Sequence, residues 1–432
     1  LTQGVFSCKL IVLKDYFMNL RPHQQRAYDK MTTEKSGQII VPTGGGKTYI
    51  MIADLVNQLR TANRPTISVV VAPRILLSNQ LHSEFSRFYD NSVTTVHVHS
   101  GEVDGLSTTN ARELRDIVIT NGALIHSHII FTTYHSLQRV VDANIIIDNI
   151  YFDEAHHSTG RYFHQAVLAT SKFANRSYYF TATPRIGRGD SKVRGMDNNR
   201  VYGNILEQTT AKELIDSGKI LSPQIIPFDT DTVRDRYNAH DVDAENLLNI
   251  LDSLDQNVNH KVLVAAPNTT VLWRMLSQTS VISDLTSAGY DILHITSKHG
   301  AYINKTKVGR QLFFDTLTKW GADDNKRFVV FHYSILSEGI DVPGLTHTIL
   351  LRNLPTIEMA QTIGRVIRLH PEDRKNISEG RIPAGMFNFY RKKCGYVTVP
   401  MSGKLASRTL KRLQGIVDII FKEGIPPISY AS

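Results

Sequence analysis

Three short stretches of the chain carry residue types that could move a phosphoryl group. In "VPTGGGKTYI" (Val41–Ile50), Thr43, Gly44, Gly45 and Gly46 lead into Lys47 and Thr48. A glycine-rich turn exposes backbone N–H groups to phosphate oxygens, and a helix N-terminus behind it favours the same anion. Lys47 would reach the outer phosphates of a nucleoside triphosphate, and Thr48 would ligate Mg²⁺. The strict pattern opens on Gly or Ala where this chain has Val41. In "YFDEAHH" (Tyr151–His157), Asp153 would hold the metal through water and Glu154 would activate the attacking water. In "QTIGRVIR" (Gln361–Arg368), helical spacing puts Gln361, Gly364, Arg365 and Arg368 on one face. Two arginines so placed neutralise charge developing on a γ-phosphoryl group, an effect worth about 10³–10⁵ in rate. Gln361 could orient the water. Each stretch alone also fits a solvated loop or an exposed helix; together they favour ATP hydrolysis.

The elements around these stretches would bring them to one place. "GQIIVPT" reads as a strand entering the glycine loop, and Lys47–Leu59 as the helix leaving it. "TISVVVAP" (Thr66–Pro73) is a buried strand by its β-branched run. "HIIFTTY" (His128–Tyr134), "NIYFDEAHH" (Asn149–His157) and "RSYYFTATP" (Arg176–Pro184) are further strands with polar ends. Strands alternating with helices predict a doubly wound α/β fold with a parallel sheet, whose ligands gather at the carboxyl ends of the strands. Gly44–Thr48, Asp153–His156 and Thr181–Thr183 all fall there. After Pro223 a second series begins, with "HKVLVAAP" (His260–Pro267), "YDILHIT" (Tyr290–Thr296), "KRFVVFHYS" (Lys326–Ser334) and "LTHTILL" (Leu345–Leu351). Near the end come a strand, "GYVTVP", and an amphipathic helix from Lys404 to Lys422. The apolar residues Leu405, Leu410, Leu413, Val417, Ile420 and Phe421 would dock this helix on the second series.

Composition narrows the partners. The chain has 432 residues, 41% of them apolar, enough for two or three packed cores. No apolar run approaches the ~18–20 residues that span a bilayer, so no membrane partner is expected. Leu1–Phe17 lacks the basic start and apolar core of a signal peptide; it reads as an extension or a segment foreign to the fold, with Met18 an alternative start. Cys8 and Cys394 have no metal-ligand spacing and read as free thiols of an intracellular protein. The net charge of +9 favours a polyanion. From Arg352 to Ser432, fourteen Lys/Arg face six Asp/Glu, so most of the excess lies in the last fifth.

Taken in order, these stretches resemble the superfamily 2 helicases, and further stretches agree from Leu20 to Leu369. "LRPHQQ" (Leu20–Gln25) is similar to the segment whose Gln, here Gln24, contacts adenine. "APRILLSNQ" (Ala72–Gln80), "HSG" (His99–Gly101) and "TTYHSL" (Thr132–Leu137) resemble the nucleic-acid-contacting motifs of the first domain. By motif position these imply Pro73, Arg74, Ser100, Gly101 and Thr133 as strand contacts. "TATP" (Thr181–Pro184) resembles the motif that couples hydrolysis to strand contact, through Thr181 and Thr183. "VLVAAPN" (Val262–Asn268) and "SEGIDVPG" (Ser337–Gly344) resemble second-domain motifs. They imply Asn268 as a strand contact and Asp341 beside the ribose and catalytic water.

"DEAH", "QTIGRVIR" and the join "TAKELIDSGKILSP" (Thr210–Pro223) resemble the group of XPB-type and UvsW-type helicases and the motor subunits of type I and III restriction enzymes. "FVVFHYSILSEGID" departs from the usual lead into its motif around His332–Ser334. The resemblance implies two RecA-like doubly wound parallel-sheet domains in tandem, with ATP and Mg²⁺ in a cleft between them. Its expected division is an extension at 1–19, a first domain at 20–225, a connector at 226–259, a second domain at 260–380 and a basic strand and helix at 381–432. The activity expected is that of an ATP-dependent helicase or translocase on nucleic acid, DNA before RNA, with no protein partner identified. Two alternatives stand beside it: the motor of a restriction or defence system, and an ATP-gated sensor or annealing protein that separates no strands.

Overall fold

The computed structural model describes residues 19–101, 103, 105–119, 126–296, 298–333, 342–352, 354–401 and 403–431, with 403–406 as backbone only. Asp341, most of the Ser337–Gly344 motif, Cys8, the segment before residue 19 and the Leu405 side chain lie outside the described residues. The chain forms two units. One holds the described residues up to Val41, Gly46–Thr209 and those from Ile428 on; the other holds Pro42–Gly45 and Thr210–Pro427. Each is built on a mainly parallel sheet, the RecA-like architecture expected.

In the first unit the strands are β1 (Ser36–Ile40), β2 (Ile67–Ala72), β3 (Val93–Val98), β4 (Ser127–Thr133), β5 (Ile147–Phe152), β6 (Ala174–Thr181), the short β7 (Arg185–Ile186) and β8 (Asn204–Gln208). Among the described residues, seven of them form a sheet in the order β3-β4-β2-β5-β6-β1-β8, with every pair parallel. β2, β4 and β5 are buried along their whole length, as strands covered on both faces must be. One face packs Ile39, Val70, Phe131 and Tyr151 under the helices Pro22–Thr33 and Lys47–Thr61; the other packs Val69, Ile130, Phe152 and Tyr179. Asp54 is fully buried on the Lys47–Thr61 helix. It accepts hydrogen bonds from Arg176 at 2.8 and 3.0 Å and from the Tyr151 hydroxyl at 2.7 Å. Breaking such a pair from one side leaves an uncompensated buried charge, a loss of about 3–5 kcal/mol.

The second unit carries β9 (Pro223–Asp229), β10 (Lys261–Ala265), β11 (Asp291–Thr296), β12 (Gly300–Ile303), β13 (Thr306–Val308), β14 (Phe328–His332), β15 (His347–Leu350) and β16 (Gly395–Met401). Among the described residues its sheet runs β13-β12-β11-β14-β10-β15-β16-β9. The β11-β12 and β12-β13 pairs are antiparallel; the rest are parallel.

Three expected boundaries move. The second unit begins at Thr210, so the stretch before Ile225 belongs to it: Leu214, Ile215, Ile220 and Leu221 join its core. The segment expected as a connector is structured, because β9 is an edge strand and the helix Ala239–Asp252 buries Leu247, Ile250 and Leu251. The strand "GYVTVP", expected to pack on the second domain, is part of its sheet. As β16 it lies inside the sheet, between β15 and β9, in register from Gly395↔Pro223 to Met401↔Asp229. The C-terminal helix is α-helical over Gly403–Ile416 and a π-helix over Val417–Lys422, and Leu413, Val417, Ile420 and Phe421 pack into the second core. The chain then returns to the first unit, where β17 (Ser429–Tyr430) pairs with β7 and Arg188 stacks over the Tyr430 ring at 3.3 Å.

Candidate nucleotide-hydrolysis site

Because the first sheet is parallel, the loops after β1, β5 and β6 leave the same edge. Register holds them there: Ile40 pairs with Thr181, Val41 N–H donates to Thr181 O at 2.9 Å, and Asp153 N–H donates to Val71 O at 2.8 Å. The glycine loop turns into its helix through Gly46, at φ 83° and ψ 44°. That positive φ favours glycine, and a Cβ there would lie 2.4 Å from Gln24 Nε2 and displace it. Gln24 donates from Nε2 to Gly46 O at 3.1 Å and accepts from Arg21 N–H at 2.9 Å. It ties the helix Pro22–Thr33 to the glycine loop.

Lys47 Nζ lies 3.6 Å from Glu154 Oε1 and donates to Val41 O at 3.4 Å. Glu154 adopts φ 45° and ψ 53°, left-handed backbone that costs a non-glycine residue about 1–2 kcal/mol. Such strain persists where surrounding contacts over-determine it. Here they do: the Tyr134 hydroxyl donates to Asp153 O at 2.9 Å, and β5 on one side and the Ala155–Thr159 turn on the other are buried. Among the described residues, Glu154 Oε2 is buried with no hydrogen-bond partner. Burial, and then the Glu154 carboxylate beside it, push Asp153 up to about 7, against the pull of Lys47.

The pair is thus short of positive charge, which is what a divalent cation would supply. Thr48 and Asp153 are an oxygen donor set suited to Mg²⁺, which takes most of its remaining ligands from water and phosphate. Among the described residues no cluster of three or more His, Cys, Asp or Glu could hold a metal by itself. The residues therefore fit a cation bound together with a nucleotide.

His156 links this corner to "TATP". Its Nδ1 lies 3.1 Å from Thr181 Oγ1, 3.2 Å from Thr183 Oγ1 and 3.5 Å from Glu154 Oε2, while Thr183 N–H donates to Thr181 Oγ1 at 3.0 Å. Burial holds His156 well below its ordinary value, hence neutral. Sequence reading singled out both threonines, and placed His156 and Tyr134 within quoted stretches without giving either a role. Tyr134 and His156 stand inside the quoted motifs, but no spacing rule marks them.

In the second unit Gln361 and Arg365 are buried and Arg368 is half-buried on or just beyond the helix Thr356–Val366. Thr43 and Gly44 group with this unit. A Cβ on Gly364 would meet Thr43 Cβ at 2.9 Å, and one on Gly44 would stand 3.8 Å from Arg368 Cγ. Only glycine at 364 permits that approach. Lys392, which sequence reading also missed, is buried and donates to Val366 O and, at 3.0 Å, to Arg368 O, the carbonyls at the end of the arginine helix. Burial, with Arg368 a lesser cause, brings it down to about 7. Its backbone N–H and that of Arg391 are held by the buried Asp373 carboxylate. Where the expected motif lead departs, His332 is fully buried at the end of β14, lowered to about 3 by burial and by Arg365 and Arg352.

The expected strand contacts divide by exposure. Ser100 and Asn268 are exposed, and Arg74 and Gly101 are half-buried. Pro73 and Thr133 are buried, just after β2 and at the end of β4. The Asn268 carbonyl oxygen caps the helix Thr269–Gln278 by accepting from Val271 N–H at 2.8 Å.

Residues 17–186, less than half of the chain, match the family model of the type III restriction enzyme res subunit. No curated protein matches the chain. Solved structures share the fold. The ATP-dependent Type ISP restriction-modification enzyme LlaBIII bound to DNA is 16% identical with a TM-score of 0.67, over 93% of this chain and 30% of that one. A nuclease-deletion mutant of the Type ISP enzyme LlaGI, in complex with a DNA substrate mimic, is 18% identical with a TM-score of 0.63, over 93% and 29%. Mss116p bound to ssRNA and AMP-PNP is 15% identical with a TM-score of 0.59, over 96% and 75%. This chain thus spans under a third of the two restriction-modification enzymes. With the family match and the two RecA-like units, the resemblance to superfamily 2 holds.

Proposed function

We propose that the chain is a nucleic-acid-dependent ATPase, a helicase or translocase motor that acts on DNA in preference to RNA. One observation carries this reading: Lys47, Glu154, His156, Thr181 and Thr183 form one connected cluster at the carboxyl edge of a parallel sheet. Lys47 and the loop N–H groups hold the phosphates. Glu154, buried with one oxygen open, takes the proton of the attacking water. A cation on Thr48 and Asp153 supplies phosphate neutralisation when bound. Arg365 and Arg368 meet the charge that develops on the γ-phosphoryl oxygens, and Gln361 orients the water. Asp341 takes the ribose side. His156 passes the state of Glu154 to Thr181 and Thr183, and so couples turnover to strand contact at Arg74, Ser100, Gly101 and Asn268. No helix among the described residues is long and apolar enough to cross a membrane.

The DNA preference draws support from the res-subunit match and the DNA-bound neighbours; the RNA-bound Mss116p keeps RNA as the competing substrate. The same match favours a second reading, the motor segment of a restriction or defence enzyme.

The test is ATP turnover by the wild type and Glu154→Gln with no nucleic acid, single-stranded DNA, duplex DNA or RNA, at two salt concentrations. Stimulation by DNA that fades with salt, with turnover about 10²–10⁴-fold lower in Glu154→Gln, is expected. Turnover indifferent to every nucleic acid would sink the motor reading.

A further inference from the structure

The second sheet ends in a feature that the ATPase reading leaves unused. After β11 the chain turns back antiparallel as β12 and β13, through Asn304 and Lys305, both at positive φ, the two-residue turn that matches strand twist. Asn304 clamps this turn to β11: its N–H donates to Ile292 O at 2.9 Å, and its side chain bonds Ile292 N–H at 2.7 Å and Asp291 at 2.6 Å. The hairpin is therefore a fixed ledge, not a loose loop.

On one face of that ledge four rings gather. Trp273, from the helix capped by Asn268, stacks on His299 with centroids 4.1 Å apart and planes at 8°. Tyr302 stacks on His294 at 4.6 Å and 13°, and lies 6.1 Å from Trp273. Trp273, His299 and Tyr302 are half-buried, so part of each ring faces outward. Lys307 is the register partner of Tyr302, and Lys298 and Arg310 flank the hairpin, all three exposed. No Asp or Glu occurs between Asp291 and Asp315, nor between His260 and Ser283 on the neighbouring strand and helix. Among the described residues, Lys298, Lys307 and Arg310 form no ion pair with a carboxylate. Three exposed cations near partly exposed aromatic rings fit a chain that offers phosphates and unpaired bases in alternation. A duplex offers the phosphates but hides the flat faces of its bases.

We infer that the Trp273–His299–Tyr302 cluster with Lys298, Lys307 and Arg310 is a binding site for single-stranded nucleic acid. It rests on the nucleic-acid reading above and adds a base-stacking site outside the stretches on which the superfamily resemblance was drawn.

The test uses fluorescein-labelled oligo-dT, oligo-rU and a duplex of equal charge, read by anisotropy over a salt series. Lys298→Ser/Lys307→Ser, two exposed changes, is expected to weaken oligo-dT binding about tenfold and to flatten the log–log salt slope by about 1.4, the value for two single-strand phosphate contacts. Binding of a fluorescent ATP analogue stays unchanged. The chain has two tryptophans, so Trp320→Phe isolates Trp273, whose emission should be quenched by the oligonucleotide through stacking. Unchanged affinity and slope, or unquenched emission, overturns the site while leaving the motor reading intact. Equal loss on the duplex overturns the single-strand assignment. A wild type that binds ATP but no nucleic acid removes both the site and the function proposed above. The oligo-dT and oligo-rU arms tell DNA from RNA.

Discussion

The two sheets do different work with the same architecture. The first is parallel throughout, and its carboxyl edge concentrates a lysine, the Glu154 carboxylate, a neutral histidine and two threonines within hydrogen-bond or ion-pair reach. The second gathers arginines and lysines, ties Lys392 to the carbonyls at the end of the arginine helix, and extends into an antiparallel basic hairpin. Under the proposed function, the carboxylates that would handle a proton are buried in one unit, and the arginines that would answer phosphate charge belong to the other. A buried carboxylate pair is costly alone, whereas guanidinium groups stay charged in any surroundings.

That contrast can be broken at three points. The largest effect is expected from Arg365→Ala, a loss of about 10³-fold or more in kcat with nucleotide affinity nearly retained, as for a group that meets charge only in the transition state. If affinity falls as far as kcat, Arg365 is a binding residue and the division of labour between the sheets is wrong. A smaller effect, up to about 10²-fold in kcat, is expected from Lys392→Met, which releases the carbonyls of Val366 and Arg368 and lets the arginines shift. Lys392→Arg should restore part of it, and KM should hardly move; equal losses in KM and kcat would make Lys392 merely structural.

The smallest effect concerns stability. His97 is buried against His82 and His99, and burial, then those two rings, lowers it to about 4 from 6.5. The unfolded chain binds the proton first as pH falls, so folded stability should decline from about pH 6.5 toward pH 4. Thermal melting of His97→Phe should show a flatter decline over that window. An unchanged slope would mean that another group carries the acid sensitivity.

Much of the candidate site was legible because its motifs are local. A turn that bares N–H groups needs consecutive glycines, and a lysine and hydroxyl must follow at once on the helix, so Gly44–Thr48 declares itself in a few residues. Asp153 and Glu154 were legible for the same reason, behind an apolar strand. The expected parallel strands followed from β-branched runs, and the structure carries them with small shifts at the ends. His156 was legible only as part of its motif, and the contacts of Tyr134, His156 and Lys392 were not, since each partner is distant in the sequence or unmarked by any pattern. Pro73 and Thr133 were read as strand contacts from motif position, and their burial is a property that motif position does not give.

The sequence by itself determined which chemistry the chain can support: the phosphate loop, the paired acids, the arginine helix and the excess of positive charge are properties of neighbouring residues. The tertiary structure alone decided how that chemistry is assembled. It paired β16 with β9, some 170 residues away. It put Gly364 against Thr43 and set a histidine between Glu154 and two threonines. It also stacked Trp273 on His299 and set Lys307 in register with Tyr302. Those arrangements depend on register and packing between distant segments, where the hydrophobic pattern marks which residues are buried but not which ones meet.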